Sequence, residues 1–172
     1  MTIQSKIMLA LAAAALGTTG AAAAPVASPT PPTGRALLLI PLTLTKIDDL
    51  SFGSVVPSPV SGTVIINATT GARSVAGGIT AMPSDIGQRA YFGGAGSPNQ
   101  LVIVTVTAPA VLTSAASDTL TVLALTLDGP PLRTIDPVAR TFFFGVGGII
   151  LIGADQPEGV YTSNYDVTAN YL

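Results

Sequence analysis

From Ala36 onward the sequence is a succession of short β-branched and aliphatic runs, each soon closed by glycine, proline, aspartate or serine. That pattern suits short antiparallel strands in a sandwich or barrel, and past the N-terminal segment no stretch holds the 3.6-residue period of an amphipathic helix. The runs predict strands over 36–46, 50–56, 62–67, 73–80, 89–93, 100–107, 119–127, 140–144, 148–153 and 160–171. Between them lie turn chemistries: Pro57-Ser58-Pro59, Thr70-Gly71, Met82-Pro83-Ser84-Asp85, Asp128-Gly129-Pro130-Pro131 and Gln156-Pro157-Glu158-Gly159. The glycine-rich segments Gly93-Gly94-Ala95-Gly96-Ser97-Pro98-Asn99 and Gly145-Val146-Gly147-Gly148 also read as turns, the second joining two buried strands.

The two ends of this region carry the clearest alternation. In the last run Tyr161, Ser163, Tyr165, Val167, Ala169 and Tyr171 share one face, with Thr162, Asn164, Asp166, Thr168 and Asn170 on the other. In the first, Ala36, Leu38, Ile40, Leu42 and Leu44 share a face, opposite Leu37, Leu39, Pro41, Thr43 and Thr45. Pro41 cannot donate to a ladder, so it marks an edge, a bulge or the junction of two extended pieces.

Composition excludes most catalytic chemistry. The 172 residues include no His and no Cys. There is therefore no imidazole base, no Ser-His-Asp triad, no thiolate nucleophile, no disulfide and no His- or Cys-bound metal. The close acidic groups, Asp48-Asp49 and Asp155 with Glu158, are too sparse for a calcium loop and read as solvated turns. Neither glycine cluster precedes a helix, as a phosphate cradle requires. Lys46, the one lysine after residue 6, stands near no serine motif. A net charge of −2 lacks the basic footprint of nucleic-acid binding. The expectation is a non-enzymatic protein with no catalytic, cofactor or metal site.

Residues 1–24 have the form of a secretory signal peptide: Lys6 near the start, an apolar run from Ile7 to Leu16, then small residues ending at Ala22 or Ala24. The run is shorter than the ~20 residues of a membrane-spanning helix. Export to the periplasm, cell surface or medium is expected. Residues 25–34, with four prolines, form a leader unable to join a helix or central strand. Residues 35–172 are sized for a single domain.

Asp49-Leu50-Ser51-Phe52-Gly53, Gly62-Thr63-Val64, Thr70-Gly71-Ala72-Arg73, Gly77-Gly78, Gly159-Val160-Tyr161 and Val167-Thr168-Ala169-Asn170-Tyr171 follow one another in that order. In that order they resemble a family of small secreted bacterial β-proteins of unknown function, similar to the spore coat protein U-like pilins of archaic chaperone–usher pili. The chain departs from many such pilins in lacking their cysteine pair. The resemblance implies an all-β, immunoglobulin-like sandwich of short antiparallel strands, incomplete and completed by a donor strand from the next subunit. It implies Leu38, Ile40, Leu42 and Leu44 within 35–46 as donor residues. The acceptor edge falls to Tyr161, Tyr165, Val167, Ala169 and Tyr171, and the partners are further copies of the chain and a periplasmic chaperone and usher. Two other readings stay open: a self-contained secreted binding module, in which 36–46 is the first strand of a complete sandwich, and a small outer-membrane β-barrel.

Overall fold

The computed structural model describes residues 28–172. The predicted signal peptide and the first three leader residues lie outside the described residues. The chain divides into two units, Met1–Leu37 and Leu38–Leu172. In the first, the described residues 28–37 form neither helix nor strand, and Ser28 Oγ donates to the Thr30 carbonyl at 2.7 Å.

The second unit is all-β and antiparallel, a β-sandwich-like fold of twelve short strands: β1 (Thr43–Asp48), β2 (Val55–Val56), β3 (Gly62–Ile66), β4 (Arg73–Gly77), β5 (Thr80–Ala81), β6 (Ala90–Ala95), β7 (Leu101–Thr107), β8 (Val111–Thr113), β9 (Thr119–Leu127), β10 (Leu132–Thr134), β11 (Thr141–Ile152) and β12 (Asp166–Tyr171). The main sheet runs β1-β6-β11-β3-β4, with β9 also on β11 and β8 on β9; a second sheet runs β10-β7-β12; β2 pairs β5. Among the described residues, strands β1, β4, β10 and β12 each pair with one neighbour, so the described sheets do not close on themselves as a membrane barrel must.

Burial follows the alternation. In β3 Val64 and Ile66 point inward, in β7 Val102 and Val104, and in β9 Leu120 and Val122. One core cluster joins the sheets: Ala90 and Phe92 of β6 and Phe142, Phe144 and Val146 of β11 meet Val102 and Val104 of β7, with Ile135 beside them. A second cluster gathers Val64, Ile79, Leu120, Val122, Ile150 and Ile152.

Four expectations are corrected. The first strand begins at Thr43, because Pro41 has no N–H and the chain before it has no ladder partner among the described residues. Residues 140–144 and 148–153 are not two strands around a glycine turn but parts of one twelve-residue strand, β11. Its first half pairs β6, its second half pairs β3, and Val146–Leu151 pairs β9. The glycines admit close backbone approach. A Cβ on Gly147 would strike the Ile66 carbonyl and stand 2.5 Å from Ala68 N, and one on Gly145 would strike the Ala68 carbonyl. Likewise Gly93 and Gly94 lie inside β6: Phe143 lies over the first, where a Cβ would sit 2.9 Å from its Cε1, and Phe142 fills the place of a side chain on the second. Finally, β12 starts at Asp166, and Tyr161 packs on the second core cluster, held by its hydroxyl donating to the Pro157 carbonyl at 2.7 Å.

Candidate functional site: the seam between the first and last strands

β1 is an edge of the main sheet and β12 an edge of the second, and both lay side chains on the same core cluster. From β1 and the residue just before it come Leu44 and Leu42; from β12 come Val167, Ala169 and Tyr171. β12 is fixed on its inner side, paired with β7 from Asp166↔Thr107 to Tyr171↔Val102. Its other edge has no strand partner among the described residues. An extended edge of this kind is a template for another strand unless something covers it.

The two edges run antiparallel in sequence along one flank, and the seam between them differs at its ends. At the Tyr165 end it opens into a groove of about 560 Å³ floored by Leu44, Leu50, Phe92, Tyr165 and Val167. Its rim carries Lys46 and Asp49, an exposed ion pair at 2.5 Å, which contributes little in water. The Tyr165 hydroxyl is buried and has no hydrogen-bond partner among the described residues, and burial, then the charge of Asp49, raises its pKa.

At the other end the seam is closed. The Tyr171 hydroxyl donates to the Ile40 carbonyl at 2.9 Å and accepts from Ser97 N–H at 2.7 Å, while Ile40 N–H donates to Ser97 Oγ at 2.9 Å. Gly96 admits this arrangement: a Cβ there would collide with the Tyr171 hydroxyl and stand 2.9 Å from Leu42 Cδ1.

The structure thus separates the predicted residues. Leu42 and Leu44 pack within the chain's own core, whereas Leu38 is 88% and Ile40 45% exposed. Tyr165, Val167, Ala169 and Tyr171 lie along the seam, and Tyr161 does not. Sequence reasoning missed Ser97 and Gly96, which sit in what read as a generic glycine loop. It also missed an outward aromatic pair: Phe143, 49% exposed, stacks on Tyr91 at 5.9 Å, and the Arg89 guanidinium lies 4.9 Å from the Tyr91 ring centre. Phase along Phe142-Phe143-Phe144 gives the signal, since the outer two face the core.

The segments around Gly53 and Arg73 meet at a structural staple. Among the described residues Arg73 has no carboxylate partner; its guanidinium donates to the carbonyls of Ser54 (3.0 Å), Asp85 (2.8 Å) and Met82 (2.6 Å). Gly53, at φ +70°, stands against that guanidinium and the Asp85 carbonyl. Glycine adopts this left-handed conformation without the steric cost a side chain would add. Among the described residues no three His, Cys, Asp or Glu side chains gather to hold a metal ion, and no helix is long and apolar enough to cross a membrane.

No curated protein and no solved structure matches the chain. The model of one family, described as Domain of unknown function (DUF4402), matches residues 42–171, from the first side chain that enters the core through the end of β12. The chain belongs to that family.

Proposed function

We propose that this protein is a non-enzymatic, exported structural subunit of a surface fibre or cell-envelope assembly, joined to its neighbours by strand addition. The observation that carries the reading is the edge of β12 that has no strand partner among the described residues, beside an open groove in which Leu44, Leu50, Phe92 and Val167 lie among polar side chains, in a chain whose apolar residues 37–40 belong to no strand. Main-chain hydrogen bonds to the edge supply affinity in this mode, and alternate side chains entering the groove supply specificity. The residues offered to a neighbour are Leu38 and Ile40; Leu42 and Leu44 stay with their own subunit. The sandwich is then immunoglobulin-like and incomplete, as in the coat protein U-like pilins, and a periplasmic chaperone and usher would guard the edge before assembly.

Light scattering on the size-exclusion peak of the mature protein tests this reading. It expects a ladder of oligomers or a one-to-one chaperone complex, with polymer lost and export retained when Leu38 is replaced by Asp, because burying an unpaired carboxylate is costly. A stable monomer in both proteins would refute it.

One observation favours a second reading, a self-contained binding module: exposed Phe143 stacked on half-buried Tyr91 on the outer face of the main sheet. Glycan binding that is lost on Phe143→Ala and indifferent to Leu38→Asp would select it.

A further inference from the structure

Within the strand-addition reading, on which this inference rests, the closed end of the seam has a distinct role. We propose that Ser97 and Tyr171 form an autoinhibitory clasp that holds the chain's own strap, residues 38–41, across the Tyr171 end of the seam and must release before an incoming strand can run the full length of β12.

Three features support it. First, both main-chain groups of Ile40 are engaged, its N–H by Ser97 Oγ and its carbonyl by the Tyr171 hydroxyl, although Ile40 belongs to no strand. The two captors are themselves joined, Ser97 N–H donating to Tyr171. Second, the place is shaped for this contact. Ser97 is buried, and Gly96 leaves the volume that the Tyr171 hydroxyl and Leu42 occupy. Third, the clasp grips only one residue of the apolar strap: beyond it Leu38 is almost wholly exposed, and Pro41 contributes no donor to strengthen the hold. A hold this local is made of a few exchangeable hydrogen bonds, each of modest net strength.

The consequence is a gate on β12. Its Tyr165 end is open for a first contact, whereas its Tyr171 end is covered by the strap leading into β1. A subunit whose open form is a minor fraction binds its partner with affinity reduced by that fraction. The clasp therefore weakens premature pairing while leaving a groove where pairing begins.

The test uses the full mature chain, Ser97→Ala and Tyr171→Phe variants of it, and a synthetic peptide of residues 35–45. Hydrogen exchange reads the clasp itself: the Ile40 amide is expected to be protected in the parent protein and to exchange at least about tenfold faster in Ser97→Ala, which removes its acceptor. Peptide binding reads the gate: both variants should bind about tenfold more tightly than the parent. An unprotected Ile40 amide in the parent overturns the clasp. Faster exchange with unchanged peptide affinity overturns its inhibitory role and leaves a tether. No peptide binding by any of the proteins, with Ile40 still protected, refutes strand addition and the gating role with it, while the clasp remains as a structural contact.

Discussion

Replacing Gly147 with Ala tests whether β11 is one strand that needs its glycines. In an unstrained site this change stabilises a protein by about 0.4–1 kcal/mol through the unfolded chain. Gly147 has no such freedom: the new Cβ meets the Ile66 carbonyl, Ala68 N at 2.5 Å and Ala68 Cα at 2.9 Å. All three are backbone atoms, so no side-chain rotation relieves the clash, and β3 must move from β11 beside the Gly148↔Ile66 pair. Overpacking costs about 1–3 kcal/mol, and a weakened ladder bond about 1 kcal/mol more. Set against the entropic gain, the net loss is about 2–3 kcal/mol. With a urea slope of ~2 kcal/mol/M, the midpoint falls by roughly 1 M. Gly153→Ala is the control, since its Cβ would meet only the end of the Gln156 side chain, at 3.2 Å. If Gly147→Ala unfolds at the same urea concentration as the parent, or both variants lose equally, the close-approach argument is wrong.

Further expectations concern the core, the polar interior and pH. Phe144 is fully buried between Phe92 and Phe142, with ring centres at 5.2 and 6.3 Å, so Phe144→Ala should cost about 3–5 kcal/mol in the same assay. Asp128 pairs with Arg133 at 2.6 Å, both 18–19% exposed, and also accepts from Gly145 N–H at 2.8 Å. Asp128→Ala should lose about 2–3 kcal/mol, and a double-mutant cycle with Arg133→Ala should show strong coupling. Tyr165→Phe removes a buried hydroxyl without a partner and should be neutral or stabilising by up to about 1 kcal/mol. Because the folded state raises the Tyr165 pKa above 10.0, its contribution is complete below that value and is lost as pH rises through the folded-state pKa. Alkaline loss of stability should therefore be smaller in Tyr165→Phe, as urea midpoints measured from neutral pH upward will show.

Alternation made the strands legible wherever one face is buried and the other wet. Val102 and Val104, Leu120 and Val122, and Val167 and Ala169 are in phase both in the sequence and in the core. Glycine was the ambiguous letter. Gly93, Gly94, Gly145 and Gly147 look like turn residues, yet they lie inside strands because a neighbouring ring or carbonyl takes the space of a side chain. The three-residue strands β8 and β10 are too short to show a period. The seam was half legible. Its side chains could be assigned a face, but which strands form free edges is decided by pairings between distant segments. The clasp joins Ile40 to Tyr171, 131 positions apart, through a serine in a loop, and no local pattern signals such a contact.

Intermolecular cross-linking tests the central claim, strand addition at β12, most directly, and a chain without cysteine makes it clean. Leu39→Cys protein would be mixed under mild oxidation with chains carrying a single Asp166→Cys, Thr168→Cys or Asn170→Cys, three exposed positions along β12. The account predicts a reducible dimer between different chains at one of these positions and little at the others, because a strand register brings one pair within disulfide reach. Absence of a dimer with all three, or equal trapping at every position, would contradict it.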